Sequence, residues 1–160
     1  MQTSQLIDAY LAGIHSLDQS LGELTPAQLR ARPVAGTWSI LEIVCHLADS
    51  EALYADRMKR VLSEDRPPLL FADAGCYVAA LACHERDPVE ELAFIGLLRR
   101  QMARILRAQP AEAWQRVGVH SKEGERTLEQ LVAKAVDHLE HHMQFLRSKR
   151  QLLSELPKKP

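Results

Sequence analysis

Three histidines fall within five residues in the stretch "DHLEHHMQF", Asp137 to Phe145, and another stands at His46 in "IVCHLADSE". Neutral imidazole is the commonest protein ligand for divalent metals, so the first question is which of these rings share a face. Leu128, Leu131, Ala135, His138, His142 and Phe145 follow one another by alternating steps of three and four, the seam of a helix packed in a bundle. That seam turns His138 and His142 inward and leaves His141 on its flank. A rise of about 1.5 Å per residue places the pair roughly 6 Å apart, within reach of one ion. Ile43, His46 and Leu53 share a face of an earlier helix, and an antiparallel run of the two helices would bring His46 to the level of the pair. Burying three imidazoles without partners is costly, and a metal would remove that cost while leaving a coordination position open for catalysis. Spacing alone also accommodates satisfied core histidines.

The elements that must position these residues are helices with explicit start signals. A first helix is expected from about Ser4 to Leu21, striped by Leu6, Ile7, Tyr10, Leu11, Ile14 and Leu17. A short turn follows at "TPAQLRAR", with Thr25, Pro26 and Gln28 as cap, first residue and partner. Ser39 and Glu42 form a capping box, and Trp38 with Ile43 a hydrophobic staple, for a second long helix from Ile40 to about Leu62. A long connection with one short helix near Ala74 to Leu81 leads to Asp87 and Pro88, which open a third helix ending near Ala108. Thr127 and Gln130 cap the fourth, read through to about Leu153. No strand pattern competes. The expected fold is all-α: a four-helix bundle over residues 1–160 as one domain, with a long crossover between helices two and three and a basic tail at about 154–160.

A 160-residue chain with 46% hydrophobic residues suffices for one core. A net charge of −1 offers no basic field for nucleic acid. No run approaches a membrane span and no signal peptide is apparent, so a soluble, cytoplasmic protein is expected. Cys45, Cys76 and Cys83 lack ligand spacing and read as small buried hydrophobes. No histidine has Glu three residues before it, which argues against a di-iron bundle, and HExxH, CxxCH, GxSxG and Walker patterns are absent.

Other residues carry weaker signals. Asp49, one turn after His46, could orient that ring or a bound water, or be a plain exposed acid. Glu51 and Arg57 are expected to meet other helices or solvent. His120 in "GVHSKEG" reads first as a solvated loop residue, with lining a site mouth as the alternative. Trp114 is expected to cover one end of the bundle.

"GTWSILEIVCHLADSE" together with "GVHSKEGERTLEQLVAKAVDHLEHHMQFLR" closely resembles the DinB/YfiT-like superfamily of metal-dependent enzymes, over nearly the whole chain. The resemblance implies an up-down-down-up bundle that binds a divalent ion, zinc or nickel, through His46, His138 and His142, commonly as a homodimer. Characterised branches include low-molecular-weight thiol S-transferases and a thiol-dependent maleylpyruvate isomerase. By analogy the expected activity is metal-assisted activation of a thiol or water, for transfer to or hydrolysis of a small-molecule substrate. The alternative is a non-catalytic bundle that binds metal structurally or serves dimerisation.

Overall fold

In the computed structural model, residues 2–22 and 24–155 are described, Glu155 by its backbone alone, so the basic tail expected at 154–160 falls almost wholly outside the described residues. Four long helices dominate: α1 (Thr3–Leu21), α3 (Ile40–Ser63), α5 (Pro88–Arg107) and α6 (Leu128–Glu155). Two short ones, α2 (Pro26–Arg30) and α4 (Ala74–Ala80), sit in the connections. None is long and apolar enough to cross a membrane, among the described residues.

The expected start signals are all built. Gln28 N donates to Thr25 Oγ1 at 3.2 Å before α2, and Glu42 N to Ser39 Oγ at 3.1 Å before α3. Val89 N donates to Asp87 Oδ1 at 2.8 Å before α5, and Gln130 N to Thr127 Oγ1 at 3.1 Å before α6. Each satisfies a main-chain donor that the first turn would otherwise leave orphaned.

The expectation of no strands is corrected. β1 (Pro68–Leu69), β2 (Val117–His120) and β3 (Gly124–Thr127) form a small sheet in the order β1-β2-β3, with β1 parallel and β3 antiparallel to β2. Strands of two to four residues are too short for an alternating pattern to declare itself, and β1 pairs with a segment about fifty positions away. Gly124 closes the β2–β3 turn at φ 73°, a left-handed conformation that glycine adopts without penalty. Arg116 fastens the sheet to the bundle, donating to the carbonyls of Val61 and Glu64 at 2.7 Å each, at the end of α3.

In the bundle α1 packs along α5 and α6, and α3 packs along the same two. Apolar side chains form two layers. One contains Leu17, Leu41, Leu47, Ile95, Leu139 and Met143, and the other Ile7, Tyr54, Met58, Met102, Leu131 and Ala135. Between them lies a buried polar layer. Arg99 Nε donates to Glu51 Oε2 at 2.8 Å, its other nitrogens donate to the carbonyls of Tyr10 (2.9 Å) and Ala135 (3.1 Å), and the Tyr10 hydroxyl donates to Glu51 Oε1. One guanidinium thus touches all four long helices. Gly13 gives α1 its close approach to this layer, because a Cβ there would collide with Leu139 and lie 2.9 Å from Arg99.

Candidate metal centre

The same packing brings α3 and α6 together at three imidazoles. His46 is buried on α3, and His138 and His142 are half-buried on α6. His46 Nε2 lies 3.0 Å from His138 Nε2 and 3.1 Å from His142 Nε2. One nitrogen from each ring falls within 4.8 Å of the others. His141, four residues from neither partner, is exposed and rests against Phe145 with ring centroids 4.9 Å apart.

The histidines do not occupy the deepest line of α6, as the three-four seam implied. The buried stripe runs through Leu131, Ala135, Leu139, Met143 and Leu146, while Phe145 is 46% exposed. His138 and His142 lie one residue off that stripe, at its edge, and His138 together with His46 lines a cleft of about 550 Å³. This placement suits a ligand pair better than the core would, since its open side faces space a small molecule can enter.

A divalent cation fits this donor set. Each neutral ring offers a lone pair on one nitrogen, and in the tautomer protonated at Nδ1 all three Nε2 lone pairs converge about His46 Nε2, an arrangement that a divalent cation satisfies. Burial, reinforced by the neighbouring rings, pushes His138 down to about 3 and His142 down to about 4. Burial also lowers His46, against the opposing pull of Asp49. All three rings are therefore neutral at pH 7, the state that binds metal. His142 Nδ1 is buried without a partner.

Neighbouring side chains fix the rings. Trp38 packs on His46 with centroids 5.1 Å apart, and Tyr54 on His138 at 5.6 Å. The staple residue at the entry to α3 thus also walls the site. Ser50 Oγ lies 3.3 Å from His46 Nδ1, a position for which Asp49 was the sequence candidate. Asp49 instead receives a bidentate ion pair from Arg86 at 2.9 and 3.1 Å, and Arg86 is shared with Glu91. Asp49 does line the cleft.

One further expectation changes. His120 is not a solvated loop residue: it ends β2, is 7% exposed and lines the cleft. Glu51 meets other helices, as expected, pairing with Arg99 in the buried layer. Among the cysteines, Cys45 and Cys83 are buried as expected and Cys76 is exposed. Burial, with Cys83 alongside, pushes the Cys45 thiol up to about 12, the opposite of an activated nucleophile.

With this geometry in place, comparison with known proteins gives the class. Residues 9–146 match the DinB superfamily, and the chain belongs to that family. A Bacillus licheniformis protein described as a "putative metal-dependent hydrolase" is 26% identical over 138 residues, 86% of this chain and 78% of its own length. YfiT of Bacillus subtilis, described in the same words, is 28% identical over 128 residues, 79% of this chain and 72% of its own. The solved YfiT structure, titled a "probable metal-dependent hydrolase with an unusual four-helix bundle topology", matches with a TM-score of 0.89 at 24% identity, covering 96% of this chain and 88% of YfiT. The mycothiol-dependent maleylpyruvate isomerase matches at a TM-score of 0.74 and 11% identity, over 91% of this chain and 61% of that one, a likeness of fold alone.

Proposed function

We propose that this chain is a metal-dependent enzyme that acts on a small molecule in the cleft beside His46, with His46, His138 and His142 holding a divalent ion, zinc or nickel. The observation that carries the reading is the convergence of three neutral imidazole nitrogens, 3.0 and 3.1 Å apart about His46 Nε2, at the edge of an open cleft. When bound, such an ion supplies Lewis-acid activation of a water or of a low-molecular-weight thiol. The chain's own contribution is to hold the imidazoles still through Trp38, Tyr54 and Ser50, and to wall the cleft with Leu53, Tyr54 and Phe71 so that bulk water is reduced around the reacting groups. Hydrolysis is the reaction class supported by the descriptions of the Bacillus relatives, and activation of a thiol for transfer is the second class we keep, by analogy with thiol-using relatives.

We also read the bundle as up-down-down-up. Supporting this, the pairs Asp49–Arg86, Glu51–Arg99 and Lys59–Gln101 rise together along α3 and α5, whereas Asp8–Arg107 and Tyr10–Arg99 run oppositely along α1 and α5. The family match over 9–146 supports one domain.

The test is metal content of untagged protein beside His46→Ala, His138→Ala, His142→Ala and His141→Ala. Stoichiometric metal, lost in the first three and kept in His141→Ala, is the expected result. No metal in the parent, or an equal loss in His141→Ala, would overturn the site. Chelation then separates roles: a catalytic ion in a preformed bundle takes activity with it, whereas a structural ion takes much of the stability.

A further inference from the structure

The cleft carries a second set of polar groups that the imidazole triad does not use. Its lining includes the cations Arg57, Arg126 and Lys134, the acids Asp49 and Glu123, and His120. Three of these charges are already matched by neighbours. Asp49 is held by Arg86, and Arg126 Nε donates to Glu123 Oε2 at 3.2 Å. Arg57 and Lys134 remain without a carboxylate partner among the described residues. Arg57 spends one nitrogen on the main-chain carbonyl of Leu70 at 2.6 Å, which leaves most of its planar set of donors free. Lys134 is exposed and stands one turn before His138 on the same face of α6, so its ammonium is carried beside the triad.

His120 adds a donor of fixed direction. The main-chain N–H groups of Lys122 and Glu123 both point at its Nδ1, at 3.3 and 3.2 Å, so that nitrogen is the acceptor and the proton of the neutral ring belongs on Nε2. Burial and the nearby charge of Arg57 both favour this neutral form. Among the described residues, the one buried side-chain polar atom without a partner is His142 Nδ1. His120 Nε2 has no protein acceptor and is not in that class, so it is open to the cleft although its ring is 7% exposed.

We propose that Lys134, Arg57 and His120 form a carboxylate-binding arm of the cleft, so that the substrate is a small molecule bearing a carboxylate that this arm holds while its reacting group lies at the imidazole triad. The inference deepens the functional reading above, but its binding half rests on the chain's own cations. A planar guanidinium, an ammonium and a neutral N–H suit a singly charged, planar anion. Leu53, Tyr54, Phe71 and Leu131 supply apolar walls for the rest of a small molecule.

The experiment is titration of the intact protein, metal-free and zinc-loaded, with butyrate and benzoate and with their neutral amides, butyramide and benzamide. Each acid should bind roughly tenfold or more tightly than its amide in both forms of the protein. Lys134→Met should abolish most of that preference and Lys134→Arg should keep it. His120→Asn retains an acceptor for the turn but withdraws the donor from the cleft, while His120→Gln extends a donor into the cleft but gives up the acceptor. Carboxylate binding should therefore fall in the Asn variant and survive in the Gln variant. Equal binding of acids and amides, no binding of either acid, an unchanged preference in Lys134→Met, or identical behaviour of the two His120 variants would each overturn the arm. Inorganic phosphate binding the metal-free protein more tightly than both acids would overturn the carboxylate class. Preference seen only with zinc present would assign the anion to the metal and overturn this inference while sparing the metal site. Carboxylate preference in a chain that takes up no metal would do the reverse.

Discussion

At His46 the two ring nitrogens face different demands, and the residues serving them are separable. Nε2 meets His138 and His142, whereas Nδ1 meets Ser50 Oγ at 3.3 Å. If Nε2 is the ligand atom, the proton sits on Nδ1, and Ser50 fixes both tautomer and ring plane by accepting it. Asp49 is one residue closer in sequence, but its carboxylate is committed to Arg86. Ser50→Ala should therefore weaken zinc binding by about tenfold, the low end of what loss of a ligand-orienting partner causes. Asp49→Asn should leave zinc affinity close to that of the parent and lower thermal stability through its loosened hold on Arg86. Competition against a chromophoric chelator, with melting curves for both variants, checks this. A larger loss of affinity for Asp49→Asn than for Ser50→Ala would return the orienting role to the acid.

Scaled up to elements, the site depends on where α3 starts and how α6 is rotated. The Ser39–Glu42 box sets the start, and Glu42 is also paired with Arg32, Arg32 Nε lying 3.1 Å from Glu42 Oε2. Burial alone would raise the Glu42 carboxyl, but donors from Ser39 and Arg32 outweigh it and hold the group below the ordinary carboxylate range. A depressed carboxyl stabilises the fold at pH values above its unfolded pKa, and that contribution vanishes as pH falls through the folded one. Glu42→Gln keeps the reciprocal cap but not the charge, so it should cost up to about 1 kcal/mol at pH 7, the size expected for a largely exposed Arg partner. The difference from the parent should shrink toward zero as pH is lowered past 4, measured by denaturant unfolding at several pH values; a pH-independent difference would refute the assignment. These caps were readable in the letters because both partners lie within three residues of each other. The pair His138/His142 was readable for the same reason, being one turn apart on one helix. The rotation of α6 was not. The stripe through Leu131, Ala135, Leu139, Met143 and Leu146 and the line through His138 and His142 run one residue apart, share Leu131 and Ala135, and both look apolar enough to be buried. Only the neighbours decide which lies deeper. The hairpin that seats His120 escaped notice because its strands are four residues each and one of its partners, β1, is remote in sequence.

The whole molecule is held in register by the layer that sequence reading could not assemble, because Tyr10, Glu51, Arg99 and Ala135 come from four separate helices. Arg99 and Glu51 are 2% and 4% exposed at their side chains, so each charge is out of water and depends on the other. Removing one partner, as in Arg99→Met, should cost about 3–5 kcal/mol because a buried carboxylate is left uncompensated. Removing all the polar partners should behave differently. In the triple variant Tyr10→Phe, Glu51→Leu, Arg99→Met no charge or hydroxyl remains to be satisfied, and apolar groups of similar volume fill the layer, so most of the lost stability should return. Zinc affinity should not return with it. Arg99 grips the Ala135 carbonyl one turn before His138, and Glu51 sits just beyond His46 on α3, so this one ion pair sets how far α3 slides against α6 and hence where three nitrogens meet. Apolar side chains tolerate small slips that a directional, buried ion pair does not, and ligand nitrogens displaced by about an ångström lose much of their hold on an ion. The expected outcome is a triple variant with near-parent unfolding free energy and zinc binding weakened by tenfold or more, roughly 1.4 kcal/mol, in the chelator competition. Full zinc affinity in a stable triple variant would show that the packed layers alone hold the helices in register, and would reduce the Glu51–Arg99 pair to a replaceable piece of the core.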